Sequence, residues 1–88
     1  MSDIKANTIF HESVMSEIFK GIAAGAADLA ARSLRAADEH VEGKDPLHAE
    51  RFLNNAKILM EMAKNAYEIG EAARVTMLEL MDLGGVKE

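Results

Sequence analysis

From Phe52 to Leu80 a small or apolar residue recurs at intervals that alternate between four and three without a break: Phe52, Ala56, Leu59, Ala63, Ala66, Gly70, Ala73, Met77 and Leu80. Only an α-helix turns that spacing into one continuous stripe, and a stripe with a mean period of 3.5 is the seam of a coiled coil. The flanks are apolar as well. Leu53, Met60, Tyr67, Leu78 and Met81 lie on one side of the seam, Met62 and Ile69 on the other. Polar residues, among them Glu50, Asn54, Lys57, Glu61, Lys64, Asn65, Glu68, Glu71, Glu79 and Asp82, take the remaining face. So wide an apolar sector exceeds what a single partner helix covers, which predicts at least two neighbours for this segment.

Breaks in the chain are few. In "VEGKDP", Gly43 suits the position just past a helix end, Asp45 is a good N-cap and Pro46 fits a first helical turn. "LGG" at 83–85 ends the second segment in the same manner, and Asn7 or Thr8 is the expected cap of the first. These marks predict a tail at 1–7, a helix over 8–42, a turn at 43–46, a second helix over 46–83 and a tail at 84–88. The fold class is all-α, an antiparallel helical hairpin in one domain, with arms on the order of 50 Å at 1.5 Å per residue. Two such hairpins are expected to pair into a four-helix bundle dimer. A kink at Gly21–Gly25 or at Gly70 would give a three-helix variant instead.

The first segment divides into an apolar side (Met15, Ile18, Phe19, Ile22, Ala26, Leu29, Ala30, Ser33, Ala37) and a charged one (Glu17, Lys20, Asp28, Arg32, Arg35, Glu39, Glu42). Its middle, "GIAAGAADLAARS", carries almost no bulk, although each glycine costs about 1 kcal/mol of helix propensity against alanine. A hairpin turning near Lys44 sets Gly25 and Ala26 beside Met62 and Ala63, and Ile22 beside Ala66. The low-bulk stretch is then expected to be a zone of close helix packing. The alternative is a second interface along the edge Val14, Ile18, Gly21 and Gly25. The interface residues expected from both segments are Phe52, Ala56, Leu59, Met60, Ala63, Ala66, Tyr67, Gly70, Met77, Met81, Ile18, Ile22 and Gly25.

The same register proposes three polar pairs on otherwise apolar faces: Glu12 with Arg74, Ser33 with Asn55, and His40 with His48. The first would fix register as a partly buried ion pair, or Arg74 would extend its stem to solvent. The second would form a polar layer in the seam. Clustered imidazolium charges repel, so the histidine pair is a candidate pH-responsive element at the turn. Neither the paired Glu-x-x-His of di-iron bundles nor His-Glu-x-x-His occurs, and no metal is expected.

Composition narrows the function. With 88 residues the chain is small enough for a monomer to be marginally stable. It has no cysteine and no tryptophan, so disulfides and thiolate sites are excluded and the core must be aliphatic. A net charge of −5 counts against nucleic acid and against an anionic membrane surface as partners. No signal peptide or membrane-spanning run is evident, which gives the expectation of a soluble, cytoplasmic protein. Ser13, Ser16 and Ser33 lack a His/Asp constellation, and the glycines lack a phosphate-loop order. No enzyme and no cofactor is expected.

What remains is assembly: a small acidic adaptor or chaperone-like homodimer that could hold a helical protein client on a methionine-bearing face. The turn "KDPLHAERFL" and the helix after it broadly resemble, at the level of fold, needle- and rod-type subunits of bacterial secretion systems. That resemblance would imply a polymer subunit. Secreted hairpins of the WxG type are disfavoured, since there is no tryptophan for their turn. A dimeric nucleic-acid regulator is the weakest reading.

Overall fold

The computed structural model describes residues 2–85. Two helices account for them, α1 at Ser2–Glu42 and α2 at Pro46–Gly85, packed against each other as a hairpin. The result is a rod of 67 × 18 × 12 Å whose radius of gyration is 19.5 Å, against about 12 Å for a compact domain of this length.

The turn is built from backbone hydrogen bonds that close the end of α1. The Lys44 N–H donates to the Val41 carbonyl at 3.0 Å and the Asp45 N–H to the His40 carbonyl at 2.7 Å, the paired bonds of a Schellman motif. The residue in the left-handed region is Lys44, with φ of 62°, and no glycine has positive φ. The expectation that Gly43 makes the reversal is therefore corrected by one position. Gly43 still donates to the Glu39 carbonyl at 2.9 Å and belongs to the helix end. Asp45 caps α2 as the motif demands: its carbonyl accepts from Ala49 at 3.1 Å and its carboxylate from the His48 N–H at 3.5 Å.

Two other boundaries differ from those read in the sequence. α1 starts at Ser2 rather than near Thr8, and the Thr8 hydroxyl, instead of capping, donates to the Ile4 carbonyl one turn back at 2.9 Å, as a threonine inside a helix can. α2 continues through both glycines of "LGG" to Gly85. The rest of the expected tail, 86–88, lies outside the described residues. Neither Gly21, Gly25 nor Gly70 interrupts its helix.

The seam fully buries no large side chain. Its buried apolar residues are all alanines: Ala23, Ala26, Ala30 and Ala37 from α1 with Ala49, Ala56, Ala66 and Ala73 from α2, joined by Ser16 and Gly70. Phe19 and Ser33 of α1, and Phe52, Leu59, Ala63, Met77 and Leu80 of α2, are half-buried along the same line. The closest approach falls at Gly70, where an added Cβ would lie 3.1 Å from the Ser16 carbonyl oxygen and 3.3 Å from the Lys20 nitrogen.

Of the α1 face expected to pack inward, Met15, Phe19, Ala26, Ala30, Ser33 and Ala37 are buried or half-buried, and three positions are corrected. Ile18, Ile22 and Leu29 are exposed, and the seam runs through Ser16, Phe19, Ala23, Ala26, Ala30, Ser33 and Ala37. With Gly70 drawing the backbones together, only small side chains fit between them, and the branched aliphatics are rotated onto the flank. The low-bulk stretch does pack in the seam, through Ala23, Ala26 and Ala30, but its glycines take no part, since a Cβ on Gly21 or on Gly25 would have no neighbour within 4 Å.

Candidate interaction surfaces

An antiparallel pair of helices has two long flanks, one to each side of its seam, and here each has its own chemistry. On the first, Lys64, Tyr67 and Glu68 of α2 and Lys20, Ala24 and Ala27 of α1 line a shallow groove of about 670 Å³ together with Ala23 and Ala63. Charge crosses this flank at mid-length. The Lys20 ammonium sits 2.9 Å from a Glu71 oxygen and 5.5 Å above the Tyr67 ring, within cation–π range. Arg74 donates to the same carboxylate from Nε at 3.0 and 3.1 Å and from Nη2 at 2.8 Å. The hydrogen bonds from Arg74, then that from Lys20, hold the Glu71 carboxyl at about 2. Glu71 in turn raises Arg74 above the usual guanidinium range, first by hydrogen bonding and then by its charge.

This network replaces the expected Glu12–Arg74 pair. Arg74 folds back on an acid one turn away on its own helix, while Glu12 is half-buried near the far end of the seam. The local bond needs no register and costs less side-chain ordering than a bridge across the hairpin.

On the opposite flank no such network intervenes. Ile18, Ile22 and Leu29 of α1 and Ile58, Met62 and Ile69 of α2 are exposed, from 45 % at Ile69 to 60 % at Ile58. Gly25 lies in the same line of α1. Both flanks thus leave large hydrophobic side chains in water, and the rod as a whole exposes 6387 Å².

At the closed end, one carboxylate joins the two arms. The Asp45 Oδ2 atom lies 2.8 Å from His48 Nδ1 and 3.4 Å from His40 Nδ1. The His40 ring stacks on His48 at 5.4 Å and on Phe52 at 5.3 Å. Partial burial tends to raise the Asp45 carboxyl, but the His48 backbone and ring hydrogen bonds, with the two histidine charges, bring it below the ordinary value. Among the described residues, no group of three or more acids and histidines is arranged to hold a metal ion.

The residues singled out in the sequence are therefore distributed as follows. Ala56, Ala66 and Gly70 are buried in the seam, with Phe52, Leu59, Ala63 and Met77 half-buried there. Met60, Tyr67 and Met81 are exposed on the first flank, and Ile18, Ile22 and Gly25 are exposed on the second. His40 and His48 are in contact. Ser33 is half-buried and Asn55 exposed, so the expected hydrogen bond across the seam is not formed. Asn55 lies one position before the seam residue Ala56, on the flank rather than in the line. The roles of Asp45 and Glu71 as junctions were missed. By sequence, Asp45 is a cap and, with Asp38 and Glu42, one of the acids near the histidine pair, and Glu71 is part of a solvated face.

No helix among the described residues is long and apolar enough to cross a membrane. The sequence matches no protein-family model, and neither the curated proteins nor the solved structures yield a match to it.

Proposed function

We propose that the chain is a non-enzymatic assembly module, a small acidic helical adaptor that acts as a homodimer in which two hairpins form a four-helix bundle. One observation carries this reading: the hairpin fully buries only alanines among its apolar residues, half-buries a few larger ones, and leaves many large aliphatics exposed on its flanks. A compact monomer of 9.6 kDa exposes about 5,100 Å² by the usual scaling with mass. The observed 6387 Å² exceeds that by about 1,300 Å², a surplus comparable with the surface lost when a protomer enters a standard interface, about 800 Å² per partner. Each alanine methyl in the seam contributes on the order of 0.8 kcal/mol, and burying the exposed flank aliphatics between two hairpins adds to that thin seam. The flank not used for pairing remains as a surface for a helical client.

Light scattering across a hundredfold concentration range, with thermal melts at each concentration, tests this. The expected result is a fixed dimeric mass and a melting temperature that rises with concentration. A folded monomer with a concentration-independent melt overturns it. Mass that grows without limit favours the needle- or rod-type polymer instead.

A further inference from the structure

We infer that the second copy docks on the flank carrying Ile22 and Ile69, with the two rods antiparallel and related by a two-fold axis that crosses this flank level with Ile22. This inference rests on the homodimer reading and specifies its surface.

The choice of flank follows from charge. Closing the Tyr67 flank over its centre would strip water from Lys20, Glu71 and Arg74, which already satisfy one another at 2.8–3.1 Å, and burying such groups is costly unless every partner is kept. The Ile22 flank presents Ile18, Ile22 and Leu29 beside Met62 and Ile69, all exposed. Its apolar stretch is also centred. Contact of Gly70 with Ser16 and Lys20 sets Ile22 level with Ala66. Around that level, Ile18 and Leu29 of α1 and Ile58, Met62 and Ile69 of α2 spread towards both ends of the rod. A patch centred on the middle of a rod can be matched by its own reverse, which is what an isologous interface requires. Gly25, with no neighbour in the hairpin within 4 Å, lies one turn from the axis and permits the two α1 backbones to come close.

The direction follows from the ends of the flank. On α1, Arg32 already pairs with Asp28 at 3.1 Å and Glu12 belongs to the seam, so the charges that bear on direction are those of α2. There, Arg51 and Glu79 lie fifteen and thirteen residues from Ala66, on opposite sides. The antiparallel arrangement lays α1 on α1 and α2 on α2 of the second copy. Arg51 then meets Glu79, twice by symmetry. A parallel arrangement lays α1 on α2 and separates Arg51 from Glu79 by the length of the patch. Arrangement of opposite charges selects orientation even where each pair adds little affinity. The span between Arg51 and Glu79, about 42 Å at 1.5 Å per residue, and the 18 Å width give a footprint of about 750 Å², close to the roughly 800 Å² per partner of a stable interface.

Sedimentation of variants, with distances between spin labels, separates the outcomes. Ile69→Glu should weaken dimerisation by more than about a hundredfold while the helical signal persists, because Ile69 is exposed in the hairpin; Met60→Glu, on the other flank, should leave it unchanged. Arg51→Glu should weaken it about tenfold, and adding Glu79→Arg should restore it. The chain has no cysteine, so a label at Glu42→Cys reports one site per protomer. Antiparallel rods put the two labels on the order of 60 Å apart, parallel rods within about 25 Å. Dimers disrupted by Met60→Glu but not by Ile69→Glu overturn the flank while the homodimer stands. A short label distance overturns the direction, and failure of the swap overturns the charge pairing. Wild-type protein that remains monomeric overturns the homodimer and this inference together.

Discussion

Gly70 of α2 lies directly against the backbone of Ser16 in α1: a Cβ placed on it would sit 3.1 Å from the Ser16 carbonyl oxygen and 3.0 Å from Lys20 Cγ. The lysine carbon can swing away, but the carbonyl cannot without moving α1. Gly70→Ala is therefore expected to destabilise the chain by about 1–2 kcal/mol, overpacking outweighing the gain of about 1 kcal/mol in helix propensity. Gly21→Ala, at an open position with nothing within 4 Å, gains the propensity alone and should stabilise by up to about 1 kcal/mol. Denaturant titration of the two variants checks the opposite signs, and a more stable Gly70→Ala chain would sink the close-approach account.

Lys44 holds the left-handed conformation at φ of 62° with a side chain that disfavours it. Lys44→Gly is expected to raise stability by about 1 kcal/mol, the cost of that conformation to an ordinary L-residue, reduced somewhat by the freer unfolded chain. Gly43→Ala should instead be nearly neutral, since Gly43 does not make the reversal and its nearest added contact would be 3.4 Å. A thermal melt in which Gly43→Ala loses more than Lys44→Gly gains would show that the reversal sits at Gly43 after all.

The Glu71 carboxyl is held at about 2 instead of 4.5 by Arg74 and Lys20. A lowered carboxyl stabilises the fold above its unfolded value and ceases to do so as pH falls through the folded one. The gap in melting temperature between wild type and Glu71→Gln should be full at neutral pH and shrink from about pH 4.5 towards pH 2. The network is partly solvated, which limits the gap to a few degrees. An equal gap at both ends of that range would mean that the variant acts through shape and not through charge.

Ala56 is fully buried, at 0 % exposure, where the two helices face each other. Ala56→Leu forces three more heavy atoms into a seam built of methyl groups and should cost about 1–3 kcal/mol. Leu is the better core residue by area alone, so a rise in melting temperature would mean that the helices stand further apart than the alanine seam requires.

Much of this was legible in residue order. The unbroken four–three spacing of α2 identifies its seam because a helix brings residues at that spacing onto one line, and Asp45 and Pro46 place the turn because their preferences are local. For α1 two stripes compete: one through Ile18, Ile22 and Leu29, the other through Ser16, Ala23, Ala30 and Ala37. Hydrophobicity favours the first, but the structure takes the second.

The sequence by itself determined that there are two helices, where they reverse and which line of α2 faces its partner, since period and capping act within a few residues of one another. Tertiary structure decided which line of α1 answers it, because that depends on the distance between backbones, set by Gly70 on the other helix. It also decided where Arg74 spends its charge. A guanidinium on a helix can reach several acids, and only the placement of Lys20 across the hairpin makes Glu71 the shared partner.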